Sequence, residues 1–291
     1  MELIKSRISI LFQQEPGLIG LSAIDNPYPY RSSTDGLDLL LLIVKEAMDD
    51  LPVMEHFRIE KKMVLVCRTD RDALNRLLSG DEHRVKLQWL VRGEILYDRD
   101  QFLANVRAKL MTFPIEMKEQ KLFMEFACFL STYLQAKQDL QDNNLFDAHS
   151  SIIQALNHWA HITLVEAGKH PEPAIWRQMR RFHPGIYKLY EELTVSPETL
   201  EQRLKLVLLA CEFSIMSKMK SCCALLLRIL ESRDDPWSLS EMQTHPEIAG
   251  LHINLSLVLQ KLVQRAYIRE VAIVPPSGDT EALELRYRSV L

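Results

Sequence analysis

The sequence predicts an α+β fold in which a mixed sheet with helices comes first, then an all-α bundle, then a small segment that ends in a hairpin. Three observations support this prediction. Short aliphatic runs bounded by turn residues are confined to residues 1–114, helical periodicity dominates residues 115–233, and short helices followed by two strand-like runs fill residues 234–291. We therefore expect three domains with these boundaries.

Composition and charge are those of an ordinary folded protein. The chain has 291 residues, of which 47% are hydrophobic and 25% are charged, and it has only 9 glycines. This balance excludes wholesale disorder and argues against an all-β design rich in turns. The net charge of -4 gives the chain as a whole no electrostatic reason to bind nucleic acid.

Cysteine usage and hydropathy predict a cytoplasmic protein that does not contact a membrane. The five cysteines include no CxxC pair, and we expect all of them to be reduced and mostly buried. The longest apolar run, Leu37 to Val44, is interrupted by Asp38 and is far shorter than the roughly 20 residues that cross a bilayer. The N-terminal segment lacks the small-residue cleavage site of a signal peptide.

The first domain is predicted to contain one N-terminal helix and a series of short strands. Residues 2–14 carry apolar side chains at helical spacing. Continuous aliphatic runs between turn residues indicate strands that are buried on both faces. Strands are predicted at Leu18–Ile24, Leu37–Val44, Met63–Cys67 within the segment Arg58–Arg68, and Gly93–Asp98. Helices are predicted at Asp72–Leu78 and Glu82–Val91, and a turn-rich loop at Asp25–Gly36.

In the second domain almost every residue fits a helical period. Its second helix places an apolar stripe, which includes Ile152, Leu156 and Trp159, on the side that would face a bundle core. Helices are predicted at Met117–Asp142, Asn144–Ala167, Pro173–Glu192 with a break near Pro184, and Glu198–Glu231.

The last domain has the element order of a winged helix, which is three helices followed by a hairpin. Helices at Ser238–Thr244, from Pro246 and at Leu255–Ala266 precede strands at Tyr267–Val274 and Leu283–Val290. Residues 236–291 carry five basic and six acidic residues. Because phosphate contacts dominate the affinity for DNA, a protein partner is favoured over DNA for this domain.

One group of residues in the first domain could form a catalytic site. Gly20-Leu21-Ser22 is followed, after a gap, by Thr34-Asp35-Gly36-Leu37-Asp38 at the start of the aliphatic run. This pattern resembles the signature of the nucleotidyltransferase fold. Trp89–Asp100, the phrases Asn157–Ala160 and Tyr187–Leu193 in the bundle, and the order of the three domains make the chain similar to the YgxA-type nucleotidyltransferase-like proteins.

The resemblance implies a nucleoside triphosphate and a divalent metal, magnesium or manganese, in a cleft between the first domain and the bundle. Gly20 and Ser22 would contact the triphosphate, and Asp35 and Asp38 would be the catalytic carboxylates that hold the metal. Nucleotidyl transfer develops negative charge on phosphate oxygens, and two metal ions roughly 3.5–4 Å apart usually stabilise it. Magnesium takes oxygen ligands, so these carboxylates must converge on one point.

The motif departs from the family pattern in three places. Asp35 and Asp38 are spaced by three, so on a regular strand they would point to opposite faces unless Gly36 forms a bulge. The strand expected to supply a third carboxylate, Lys62–Cys67, contains no acid, and a leucine separates the glycine and the serine of the phosphate-contacting pair. These departures predict that transferase activity is weakened or lost.

Several alternatives remain open for this region. Glu60 precedes the strand that lacks an acid and Asp70 and Asp72 follow it, so a carboxylate at either end could reach inward. Asp38 could instead cap its strand and accept hydrogen bonds from nearby amides. The alternative function is a non-catalytic regulatory or scaffold protein that uses its C-terminal domain for protein contact.

Two features of the bundle have both a functional and a structural interpretation. Arg180 and Arg181 belong to the densest basic run, which is either a solvated helix face or a contact for the phosphates of a nucleotide. His158 and His161 share one helix face, but a metal site would need further ligands, and Trp159 between them is typical of a core. We therefore interpret the two histidines as structural.

Overall fold

The computed structural model describes residues 2–26, 35–48, 53–74, 90–112, 115–172, 174–274 and 283–290. They form two compact units, Met1–Pro114 and Ile115–Leu291. The predicted α+β class is confirmed. Thr34, Trp89, most of the loop predicted at Asp25–Gly36, most of the two helices predicted between residues 72 and 91, and the turn of the C-terminal hairpin lie outside the described residues.

The first unit contains a five-stranded mixed sheet with the strand order β3-β4-β2-β1-β5. Strands β2 and β4 run parallel, and the other described neighbours run antiparallel. Both parallel strands therefore begin at the same edge of the sheet. The elements are α1 (Glu2–Phe12), β1 (Leu18–Asp25), β2 (Leu39–Lys45), β3 (Val53–Ile59), β4 (Lys62–Asp70), β5 (Glu94–Asp98), a 3-10 turn (Arg99–Gln101) and α2 (Phe102–Thr112).

The aliphatic strand β2 is buried on both faces, as predicted. Successive residues of a strand point to opposite faces, so β2 contributes to two separate apolar layers. Leu42 packs in one layer with Leu103 of α2. Leu41 packs in the other layer with Ile8 of α1. The sheet is thus covered by α2 on one face and by α1 on the other.

Strand β3 was not predicted, whereas the buried strand predicted at Met63–Cys67 within Arg58–Arg68 is confirmed as part of β4. The first residues of that segment, Arg58 to Lys62, lead from β3 into β4. The chain forms a hairpin there, because Glu60 and Lys61 adopt positive φ angles of 49° and 66° and reverse its direction. Strand β3 lies at the edge of the sheet and is mostly exposed. An exposed edge strand needs no continuous apolar run, so its sequence carries little strand signal.

The second unit begins with helices and ends with a β-hairpin. A loop of three residues joins the long helices α3 and α4, which pack against each other as a helical hairpin. The elements are α3 (Ile115–Gln141), α4 (Leu145–Glu166), α5 (Ile175–Phe182), α6 (Pro184–Val195), α7 (Leu200–Met216), α8 (Met219–Cys222), α9 (Ala224–Glu231), α10 (Leu239–Thr244), α11 (Leu255–Gln264), β6 (Ile268–Ile273) and β7 (Glu284–Ser289).

The predicted break near Pro184 is confirmed, but the single helix predicted at Glu198–Glu231 is wrong. The chain leaves the helix after Met216, where the Ser217 hydroxyl donates to the carbonyl of Ser214. Serine side chains compete in this way for backbone groups that a continuing helix would use. Three helices, α7, α8 and α9, therefore replace the expected one.

The C-terminal elements have the winged-helix order. Helices α9, α10 and α11 precede the antiparallel pair β6 and β7, and Trp237 adds an isolated bridge to Tyr287 of β7. The segment predicted as a short helix from Pro246 forms a turn, so the three helices include α9, which lies before residue 234. Among the helices of the described ranges, none is both long enough and apolar enough to cross a membrane.

Close packing explains the glycine at position 20. Gly20 lies within β1, opposite Val44 of β2 and Asp98 of β5. A Cβ atom at this position would lie 2.5 Å from Cγ of Leu103. Helix α2 can therefore approach β1 only because this residue has no side chain.

We predict that Gly20→Ala lowers the free energy of unfolding by about 1–3 kcal/mol, the usual cost of overpacking a filled core. Leu103→Ala removes the obstructing atoms, so the double variant should lose less stability than the sum of the two single variants. Urea unfolding of the wild type and the three variants measures this. Strictly additive losses would contradict the packing argument.

Candidate functional site

The backbone of Asp38 joins the edge at which β2 and β4 both begin. Its amide donates to the carbonyl of Met63 at 2.8 Å, and the amide of Met63 donates to Asp38 Oδ2 at 2.9 Å. The amide of Asn26 donates to the carbonyl of Asp38 at 2.9 Å. Asp38 therefore ties the beginnings of two parallel strands to the end of β1.

The other carboxylate oxygen of Asp38 belongs to an ion pair. Lys62 Nζ donates to Asp38 Oδ1 at 2.6 Å, and the two side chains are 44% and 33% exposed, respectively. The hydrogen bond from Lys62 and, after it, the amide of Met63 hold the pKa of Asp38 below its ordinary value. The carboxylate is thus ionised, and both of its oxygens already have protein donors.

Asp35 lies in the turn before β2 and is exposed. Gly36 beside it adopts φ +72°, a conformation that favours glycine, so this turn explains the glycine without a ligand. Among the described residues, Asp35 takes part in no ion pair, and it does not join Asp38 in a group of three metal-ligating side chains.

Glu60, Asp70 and Asp72 flank the strand expected to supply a third carboxylate, but they do not join Asp38. Glu60 pairs with Arg7 of α1. Asp70 lies at the opposite end of β4, roughly 26 Å from Lys62 at the rise per residue of a strand. There its carboxylate accepts from the amide of Ala73 at 2.6 Å and caps the helix that begins at Arg71. Asp72 follows on that helix.

The predicted phosphate contacts lie inside the sheet and not in a turn. Ser22 is 2% exposed, and its hydroxyl oxygen has no hydrogen-bond partner among the described atoms. It lies opposite Leu42, four residues from Asp38, which is roughly 13 Å along the strand. One phosphate group could not contact both Ser22 and Asp38 in this arrangement. Contact of Gly20 or Ser22 with a triphosphate stays a prediction.

The described side chains around Asp38 do not fit a two-metal centre. Such a centre needs several carboxylate oxygens directed at one point. Here one carboxylate is engaged by an ammonium group and an amide, and Asp35 is not grouped with it. Magnesium or manganese binding by Asp35 and Asp38 stays a prediction of the sequence resemblance, and these contacts do not favour it.

In the second unit, Arg180 and Arg181 lie on α5 with exposed side chains. The guanidinium of Arg180 lies 5.8 Å from the ring centroid of Tyr187 on α6. Helices α5 and α6 are further joined by the stacked rings of Trp176 and Tyr190, whose centroids are 3.9 Å apart. Neither arginine forms an ion pair with a described residue, so this basic face is open to an anion. Its role as a nucleotide contact stays a prediction.

A second group of polar residues was only half recognised from the sequence. His158 Nδ1 lies 2.7 Å from Glu125 Oε2, and His161 Nδ1 lies 2.8 Å from Glu125 Oε1. Glu125 is on α3 and 2% exposed. Burial alone would raise the pKa of Glu125, but the hydrogen bonds from the two histidines outweigh it and hold the pKa well below its ordinary value.

A signal for Glu125 was present in the sequence. Leu122 and Phe129 lie three residues before and four residues after it, on the same helix face, and both are buried. An acid at such a position must have a partner, because an unpaired buried charge is very costly. The sequence alone did not show that the partners are His158 and His161.

Three family models match the chain in succession. The model described as nucleotidyltransferase-like matches residues 1–118. The YgxA-like substrate binding domain matches residues 119–218, and a helix-turn-helix domain matches residues 224–275, which contain α9 to α11 and β6.

Two known proteins resemble the chain over most of its length. Protein YgxA of Bacillus subtilis (strain 168) is 30% identical over 254 residues, which are 87% of this chain and 86% of that protein. The crystal structure of a nucleotidyltransferase-like protein from Exiguobacterium sibiricum 255-15 is 27% identical, covers 100% of both chains and has a TM-score of 0.81. The resemblance noted in the sequence is confirmed: the chain belongs to the YgxA family of nucleotidyltransferase-like proteins.

Proposed function

We propose that this chain binds a nucleotide or another phosphorylated ligand and has lost the capacity to transfer a nucleotidyl group. The loss of transfer activity rests on one observation. Both carboxylate oxygens of Asp38 are engaged, one by the ammonium of Lys62 and one by the amide of Met63. In an active enzyme of this fold, such a carboxylate would instead hold a divalent ion.

The charge at this edge supports the loss of metal chemistry. Lys62 places one positive charge against Asp38, so an arriving cation would have to displace the lysine and would be repelled by it. An ammonium donates hydrogen bonds but cannot bridge the attacking and leaving oxygens as a metal ion does. The positive charge of Lys62 can therefore stabilise this carboxylate without a metal ion.

The basic face of α5 supports binding of a phosphorylated ligand. A guanidinium binds a phosphate through two parallel hydrogen bonds and stays charged at every physiological pH. Arg180 and Arg181 are exposed and belong to no ion pair with a described residue. An anionic ligand could thus bind there without breaking an existing salt bridge.

We predict that nucleoside triphosphates bind equally well with magnesium and with EDTA, and equally well to wild type and Asp38→Asn. The combined Arg180→Gln and Arg181→Gln variant should bind about 10-fold more weakly or worse, because a hydrogen bond to a charged group contributes about 1.5–3 kcal/mol. Calorimetry with ATP and the other nucleoside triphosphates measures this. Lys220→Gln, an exposed cation on α8, is the matched control and should change nothing.

Two other outcomes would lead to different conclusions. Binding that requires magnesium and disappears in Asp38→Asn would show a working metal site and contradict the proposal. The absence of binding by any nucleotide, under all of these conditions, would favour the alternative of a non-catalytic regulatory or scaffold protein.

DNA binding is a second candidate function, and the helix-turn-helix match favours it. Helix α11 takes the place of a recognition helix, and Gln260, Gln264 and Arg265 are exposed at or beside it. Charge argues against strong binding. Arg228 pairs with Glu119 and Glu247, and ion pairs likewise engage Arg233 with Glu241 and Arg286 with Glu284.

We therefore expect random duplex DNA to bind no more tightly than the weak end of non-specific binding, about 10⁻⁴ M, at physiological salt. Fluorescence anisotropy over a series of salt concentrations measures the affinity. Tighter binding that weakens as salt rises, and that Lys261→Gln with Arg265→Gln abolishes, would show that this domain contacts DNA and would contradict a purely protein-binding role.

A further inference from the structure

The hairpin of α3 and α4 contains a compact set of metal-ligating atoms. One ligand atom from each of Glu125, His158 and His161 lies within 4.8 Å of the other two. The histidines are three residues apart on α4, so their rings project from one helix face toward the carboxylate on α3. The group lies within the segment that matches the YgxA-like substrate binding domain.

The burial of Glu125 requires positive charge nearby. Its side chain is 2% exposed, and a buried carboxylate is stable only when it is paired and hydrogen-bonded. The two imidazoles meet part of this requirement by donating N–H hydrogen bonds to the carboxylate. A divalent cation held by the same three groups would meet it more completely, because it carries two charges.

The donor set selects the class of metal. Two imidazole nitrogens and one carboxylate form the ligand set of zinc enzymes and of non-haem iron centres. Magnesium and calcium prefer oxygen ligands only. The His158 and His161 side chains are 26% and 14% exposed, so an ion could enter from solvent and keep water as a further ligand.

We propose that Glu125, His158 and His161 bind one divalent transition-metal ion, with zinc as the representative case. The Glu125 carboxylate and the Nδ1 atom of each histidine coordinate the ion. In the metal-free chain each Nδ1 carries the proton donated to Glu125. In the metal-bound chain the ion replaces this proton, and Nε2 carries the ring proton instead. The proposal is independent of nucleotide binding by the chain.

The first test is calorimetry on the full chain, stripped of metal with EDTA and desalted, with zinc as the titrant. We expect saturable binding of one ion per chain. Glu125→Gln, His158→Asn and His161→Asn should each weaken binding by about 100-fold or more, because even residues that only support a metal ligand are worth about 10- to 100-fold. His149→Asn, elsewhere on α4, is the matched control and should bind as wild type does.

Two further measurements keep the result interpretable. Circular dichroism in EDTA establishes that each variant is folded, and His158→Asn changes the most exposed ligand, where a loss of stability is smallest. Absorption spectra of the cobalt-loaded chain distinguish nitrogen and oxygen ligands from cysteine thiolates. Absence of saturable zinc binding, equal affinity in folded wild type, Glu125→Gln and His158→Asn, or a thiolate spectrum would each overturn the proposal.

Discussion

The central interaction at the functional edge of the first unit is the ion pair between Asp38 and Lys62. It forms because β2 and β4 are parallel and begin together, which brings Lys62 beside the acid that precedes the aliphatic strand. The lysine supplies to this carboxylate the positive charge that a divalent ion supplies in a nucleotidyltransferase. The chain has the fold of its family, and in this fold the Asp38 carboxylate joins the beginnings of two strands.

Each unit contains a carboxylate whose charge is neutralised in a different way. Asp38 is half-buried and pairs with an ammonium, which cannot act as a metal ligand while it is charged. Glu125 is buried and pairs with two imidazoles, which are metal ligands themselves. Among the described residues, the group of three metal-ligating side chains thus lies in the helical bundle, and Asp38 is not part of it.

Local sequence signals predicted those parts of the molecule that depend on local interactions. The aliphatic run of β2, the amphipathic helices and the break near Pro184 were all visible, because periodicity and proline act over a few residues. Strand β3 was missed because its residues have no apolar pattern of their own. It forms through backbone pairing with β4. The pairing of Asp38 with Lys62, 24 residues apart, and of Glu125 with His158, 33 residues apart, depends on strand register and helix packing. Neither can be read from spacing alone.

The ionisation of Asp38 tests most directly whether Lys62 neutralises the charge of this carboxylate. Its pKa can be followed by NMR of the carboxyl carbon in wild type, in Lys62→Met and in the neighbouring control Lys61→Met. We expect the wild-type pKa to lie below the ordinary value of about 3.9, to rise toward that value in Lys62→Met and to stay unchanged in Lys61→Met. A wild-type pKa at or above the ordinary value, or one that Lys62→Met does not raise, would contradict this account.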